Sequence, residues 1–335
     1  MPLSTETPFR SFTDQALHYF IRDHGHVPAG PITSAACWTG KALREDPASW
    51  MIELSPEQIE ELSATTDALM MAGRSMAEVR REDFALPLLH GELRTWAQEI
   101  VQGRGFVVVR GLPVQDWGYD KSAYAYWGLG HHLGLPGAQN AAEELLGHVR
   151  NYADGGTDLV RQYRTTENIE FHCDAADAVG LLCLQAAKSG GQSRIVSSVA
   201  VYNAMLAERP DLATRLFSAY PLDRRNEQGE GEPGFLPIQP CCFGQDGVLR
   251  TFYHGNYFRS AQRFEDAAID EAGLEALDLY DELCSDPDRH LDMWLEPGDM
   301  QFISNHTIVH ARTSYEDWPE PERQRHLLRL WLSLE

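Results

Sequence analysis

The stretch Phe171-His172-Cys173-Asp174-Ala175-Ala176-Asp177-Ala178-Val179-Gly180-Leu181-Leu182 decides how this chain is read. Side chains of an extended chain alternate between faces, so His172 and Asp174, two apart, point the same way, as two ligands of one metal ion must. Asp177 is an odd step from both and faces away unless the strand has ended, and Cys173 points away from its two neighbours. The third ligand has to be a distant histidine, and the chain offers His254, His290, His306 and His310. His310 is preferred. It follows Gly298-Asp299, a strand and Asn305, a path that can return a C-terminal strand beside the first pair. His306, in the same loop, reads as a surface or supporting residue. Two histidines and a carboxylate hold non-haem Fe(II) with open coordination positions. The same donors can hold a catalytic zinc, although the chain has no H-E-x-x-H.

A second signal lies in Arg325-His326-Leu327-Leu328-Arg329-Leu330-Trp331-Leu332. Alternation puts Arg325, Leu327, Arg329 and Trp331 on one face and His326, Leu328, Leu330 and Leu332 on the other. The leucine face packs on helices, and the arginines point into a polar interior. A guanidinium is a permanently charged planar fork suited to a carboxylate. Alone, such an arginine would serve a structural ion pair equally well; beside a metal triad it reads as the anchor of a dicarboxylate.

The rest of the chain frames these blocks. Residues 1–50 read as an irregular arm packed on the body. Ser55-Pro56-Glu57-Gln58 marks a helix start, with Ser55 as cap, Pro56 at the first position and Gln58 closing a capping box. Leu89, Leu93, Trp96 and Ile100 fall at helical spacing. Phe106 to Val109 reads as a buried strand and Ser122 to Leu133 as a helix. Short strands follow at Leu181–Leu184 and Arg194–Ser197, then helices over Ser198–Glu208 and after Pro210. Ile238 to Tyr253 reads as a hairpin about a two-residue Asp246-Gly247 turn. Glu265 to Cys284 is a long helix, and His290–Leu295 and Met300–Ser304 read as an antiparallel pair. Helices early and short strands late, without repeats or linkers, predict one α+β domain on a jelly roll or barrel.

Taken together, these residues resemble the taurine dioxygenase/clavaminate synthase-like (TauD/TfdA) family of Fe(II)- and 2-oxoglutarate-dependent oxygenases, over about residues 105–332. The resemblance is carried by Phe171 to Leu182 with Gly190-Gly191-Gln192-Ser193, and by Gly298-Asp299, Asn305, His310-Ala311-Arg312-Thr313 and the Arg325/Arg329 strand. It implies a double-stranded β-helix with flanking helices and a single oxygenase domain over 1–335. His172, Asp174 and His310 become iron ligands. Arg325 holds the far carboxylate of 2-oxoglutarate, and Ser193 stands where the family has a threonine helping it. Arg329 falls where relatives reach the substrate or the co-substrate. O2 completes the set, with succinate and CO2 released as an unactivated C–H bond is hydroxylated or desaturated. The carboxylate of Asp174 separates the chain from related halogenases, which lack it.

Charge sets the boundaries. Against 50 Asp and Glu there are 28 Lys and Arg, a net charge of −22. A nucleic-acid backbone or an anionic membrane would repel such a chain, so neither is an expected partner. A few arginines can still govern one pocket, so the expected partner is a small, anionic or amino-acid-like molecule; homo-oligomer formation stays open. Six cysteines without C-x-x-C spacing read as free thiols of a reducing cytoplasm. No leader peptide is read at Met1–Glu6, and a cytoplasmic location is expected. For the substrate pocket the candidates are Arg161, Tyr163 and Arg164, together with Tyr253, His254 and Asn256. The run Gly229 to Gly234 reads as a loop that is either a lid or plain surface. A zinc-dependent hydrolase and a non-catalytic jelly-roll binding protein are the competing readings.

Overall fold

The computed structural model describes residues 8–21, 25–140, 142–152 and 164–334. Two sheets face one another. The larger runs in the order Met51–Glu53, Phe106–Arg110, Met300–Ser304, Ala178–Gln185, His326–Ser333 and Leu135–Gly137, with Gly147–Val149 also on the last long strand. The smaller runs Leu291–Met293, Ser193–Ser197, Ile308–Arg312 and Ile169–His172. From Ile169 onward the chain crosses repeatedly between the two sheets, with Ser193–Ser197 and Leu291–Met293 as successive strands of the smaller one; this is the double-stranded β-helix expected of it.

Each sheet has one helical and one inward face, as its residues dictate. Leu328, Leu330 and Leu332 join Leu182, Met300 and Phe302 against Trp96, Tyr126, Trp127 and Leu129 of the helices His90–Val101 and Val114–Leu133. Each leucine fully buried there contributes about 2 kcal/mol. Val196, Val309 and Ala311 of the smaller sheet meet Tyr202, Met205, Leu277 and Tyr280 from Ser198–Glu208 and Glu271–Ser285. Between the sheets lie Phe106, Val108, Val179, Ile195, Ile303, Ile308 and Trp331. Gly180 lets the long helix settle: a Cβ there would lie 2.3 Å from the Tyr126 hydroxyl.

Several sequence expectations need correction. His290–Leu295 and Met300–Ser304 do not pair with each other. Leu291–Met293 pairs with Ser193–Ser197, and Met300–Ser304 with Phe106–Arg110 and Ala178–Gln185. The turn between them therefore crosses from sheet to sheet. Gly298 makes the crossing with φ +94, where a Cβ would meet the Leu112 carbonyl oxygen at 2.2 Å. The hairpin near Asp246-Gly247 pairs Phe243 with Leu249, so its connection is five residues rather than two. Helix Val114–Leu133 starts before Ser122, across a non-helical Gly118, and the long C-terminal helix starts at Glu271, capped by Asp270.

Nor are residues 1–50 wholly irregular. Phe12–Phe20 and Gly40–Glu45 are helices capped by Ser11 and Thr39. The first is tied down, since Gln15 Oε1 accepts the Ser333 hydroxyl at 2.8 Å. Among the described residues no helix is long and apolar enough to cross a membrane.

The strand ends at His172, so alternation does not govern Asp177, whose carboxylate knits the arm to the body. Its carboxylate accepts from His306 Nε2 at 2.9 Å, His18 Nε2 at 2.8 Å and the Leu334 amide at 2.8 Å. Burial pushes its pKa up, but the bond and charge of His306, with Leu334 and His18, hold it below the usual carboxylate value. Asp177→Ala is expected to cost about 3 kcal/mol, read as a lower urea midpoint. Because the folded-state pKa is depressed, this contribution is present above the unfolded value of about 4 and is lost as pH falls through the folded one. Wild type and variant should therefore converge in stability in strong acid.

Candidate active site

His172 ends the strand Ile169–His172, and His310 lies directly across from it on Ile308–Arg312. Their ring centroids are 4.3 Å apart. Asp174 follows two residues on, and one ligand atom from each of His172, Asp174 and His310 lies within 4.8 Å of the others. His172 Nδ1 is 2.9 Å from the Glu170 carbonyl, which can only accept, so this nitrogen carries the proton and Nε2 keeps its lone pair. Burial and the neighbouring His172 push the pKa of His310 down to about 3, and burial lowers that of His172 as well. Both rings are therefore neutral donors at ordinary pH. Asp174 stays ionised: burial opposes its charge, but Arg329, His310 and His172 hold it well below the usual range. Two neutral imidazoles and one carboxylate fit Fe(II) with positions left over for further ligands.

Two side chains steady that carboxylate. Arg329 Nη1 donates to both oxygens at 3.2 and 3.1 Å, and Trp331 Nε1 donates to Oδ2 at 3.2 Å. Behind Arg329, Gln139 Oε1 accepts from its Nε at 2.8 Å while the Gln139 amide donates to its carbonyl at 2.6 Å. Sequence alternation put Arg329 and Trp331 on one face, and both turn inward as it predicts. Arg325 stands just ahead of the strand, where the register shifts between His326 and Leu327. Its amide donates to Asp317 at 2.7 Å, and its guanidinium lies 5.1 Å from the Tyr315 ring centre. Arg325 is 5% exposed, and its Nη1 is buried with no hydrogen-bond partner. A buried cation with an unused donor calls for an anion.

One cavity joins these groups: His172, Asp174, Ser193, Gln301, His310, Arg312, Arg325 and Arg329 all line it, with Val149, Ile169, Val179, Leu181 and Ile303 as its apolar wall. The Ser193 hydroxyl donates to Gln301 Oε1 at 2.9 Å.

The remaining candidates lie elsewhere. Tyr253 is buried among the helices, its hydroxyl bonded to Asp281 at 2.7 Å and the Leu277 carbonyl at 3.2 Å. His254 packs beside His172, with centroids 5.2 Å apart, and stacks on Tyr257; with Asn256 it lines a separate cleft bounded by Glu170, Asp278 and Asp281. Arg164 lies over the Tyr152 ring, and His306 is engaged by Asp177. Arg161 and Tyr163 fall outside the described residues. Gly229–Gly234 contributes nothing to the cavity wall; Glu232 there pairs with Arg224 at 2.6 Å. Sequence reading missed Gln139, for which no motif exists, and Gln301. Trp331 serves twice, packing in the core between the sheets and donating to the Asp174 carboxylate.

The model of the taurine catabolism dioxygenase TauD, TfdA family matches residues 71–331. The chain belongs to this family. FR-33289 synthase of Streptomyces rubellomurinus (strain ATCC 31215) is 30% identical over 317 residues, covering 91% of each chain. Among solved structures, asparagine oxygenase with Fe(II), 2S,3S-3-hydroxyasparagine and succinate aligns with TM-score 0.69 at 17% identity, over 85% of this chain and 93% of that one. The non-heme iron oxygenase OrfP with Fe and alpha-ketoglutaric acid aligns with TM-score 0.62 at 14% identity, over 85% and 94%. Both share the jelly-roll fold. The protein is an oxidoreductase of the family that uses Fe(II), 2-oxoglutarate and O2. Family membership sets aside the zinc-hydrolase and non-catalytic readings.

Proposed function

We propose that this TauD/TfdA-family oxygenase hydroxylates, or desaturates, an unactivated C–H bond of a small anionic or amino-acid-like molecule. His172, Asp174 and His310 would hold the iron, Arg325 and Ser193 would hold the co-substrate, and Arg329 would reach the substrate. The observation that carries the reading is the meeting, in one buried cavity, of an N,N,O donor set with an arginine whose Nη1 has no partner. The hydroxyasparagine named in the asparagine oxygenase structure supports an amino-acid-like substrate.

The residues divide the work. The bound iron, 2-oxoglutarate and O2 supply the oxidation, in which substrate, 2-oxoglutarate and O2 become hydroxylated substrate, succinate and CO2. His172 and His310 remain neutral so that their lone pairs serve the metal. Arg329 and Trp331 fix the angle of the Asp174 carboxylate. The apolar wall of Val149, Ile169, Val179, Leu181 and Ile303 keeps bulk water from the reacting centre.

A screen of amino acids and small organic acids by substrate-dependent succinate release tests the substrate class. With a substrate in hand and Fe(II) saturating, Arg329→Ala is expected to raise its KM at least tenfold, more than it raises the 2-oxoglutarate Kd; because Arg329 also holds Asp174, Fe(II) affinity should fall about 10- to 100-fold as well. Unchanged substrate affinity and turnover with weakened 2-oxoglutarate binding would move Arg329 to the co-substrate.

A further inference from the structure

The cavity holds one arginine more than the reading above employs. Arg312 is two residues beyond His310 on the same strand, so alternation turns it to the same interior face. Its cross-strand partner is Ser193. Such opposed residues project side by side from the sheet, with Cβ atoms about 5 Å apart. Arg312 and Arg325 also share a ring, since their guanidinium carbons lie 4.8 and 5.1 Å from the Tyr315 centroid.

Arg312 is 5% exposed, and no carboxylate pairs with it among the described residues. Its Nη2 donates to the carbonyls of Thr165, at 2.9 Å, and Glu167. Its Nε and Nη1 are buried without partners, as is Arg325 Nη1. Two buried cations beside one aromatic ring repel each other and leave three N–H-bearing nitrogens unused. A structural arginine would have been matched with an acid or more carbonyls. Arg329 differs, because Asp174 and Gln139 already engage it.

We propose that Arg312 is a second cation of the 2-oxoglutarate site, so that the far carboxylate lies between Arg312 and Arg325 with the Ser193 hydroxyl beside it. The two carbonyls on Nη2 fix the plane of the guanidinium and present its remaining donors to the anion. This rests on the co-substrate reading of the cavity and adds a residue to it. One consequence is sharp selection for a dicarboxylate, because a 2-oxo acid with an apolar tail would leave both cations buried and unpaired.

The test is anaerobic titration of Fe(II)-loaded protein with 2-oxoglutarate and with 2-oxopentanoate, which has the same chain length but no far carboxylate, followed by the visible charge-transfer band. Wild type should favour 2-oxoglutarate strongly. In Arg312→Met its Kd should rise at least tenfold while that of 2-oxopentanoate moves less than twofold, so the preference collapses; Arg312→Lys should restore part of it. Two results overturn the proposal: an unchanged preference, or equal weakening of both acids, which marks a structural clamp on Thr165 and Glu167. If Arg312→Met fails to fold by circular dichroism, the Lys variant decides, because losing the fork while keeping the charge still lowers the preference if the carboxylate is there. No band in wild type with either acid would defeat the co-substrate reading itself.

Discussion

His310→Ala is expected to abolish iron-dependent turnover while leaving a folded protein. The argument starts from the donor count. In the proposed site three side chains would ligate the iron, and removing one would leave a histidine and a carboxylate, too few to hold Fe(II) against buffer and water. Partners that merely orient such ligands are worth about 10- to 100-fold in metal affinity or activity, so a direct ligand should cost more than ~100-fold. His254 stands nearest as a substitute, but its ring packs 5.2 Å from His172, outside the set whose ligand atoms converge. His306 is the informative control. Its Nε2 is bonded to Asp177, so His306→Ala should lower stability and leave Fe(II) affinity within about threefold. Equilibrium dialysis against Fe(II) under anaerobic conditions, with circular dichroism on each variant, separates the two. Iron retained by His310→Ala, or lost from His306→Ala at temperatures where it is folded, would reverse the assignment.

That contrast also shows what the sequence could and could not disclose. His306 and His310 sit in one segment four residues apart, and only the path of the chain separates them. The period-two rule paired His172 with Asp174, although the strand ends at His172, so the position of Asp177 follows from the bend after it and not from alternation. The same rule placed Arg329 and Trp331 correctly. It failed to show that Leu291–Met293 and Met300–Ser304 belong to different sheets, since a short turn between two strands reads as a hairpin whether or not the chain crosses the barrel. Gln139 was invisible for a related reason. Its contact with Arg329 spans 190 positions and depends on the strand Gly147–Val149 docking beside His326–Ser333. Tyr253 was misplaced because a tyrosine near a histidine could face either the cavity or the helices, and the Asp281 that takes its hydroxyl lies on a helix far along the chain.

Arg325→Met should raise the Kd for 2-oxoglutarate on the order of a hundredfold and leave Fe(II) binding intact. Truncating one member of a buried charge pair costs about 3 kcal/mol, which is that factor. Methionine keeps the stem that packs beside Cys183 and Leu327 and removes only the fork, so the loss reports the missing cation and not a cavity. Free protein tells against a purely structural role. Burial lowers the pKa of Arg325, so the unliganded cation is a cost to the fold, and its neutral replacement should match or exceed wild-type stability without ligand. With 2-oxoglutarate present the order should reverse, because only wild type gains the full binding free energy on top of its folding. A thermal melt of both proteins, with and without the co-substrate in anaerobic Fe(II), reads that crossing directly. An Arg325→Met protein destabilised to the same degree in both conditions would instead make Arg325 a scaffold residue, and the dicarboxylate would then have to be held elsewhere in the cavity.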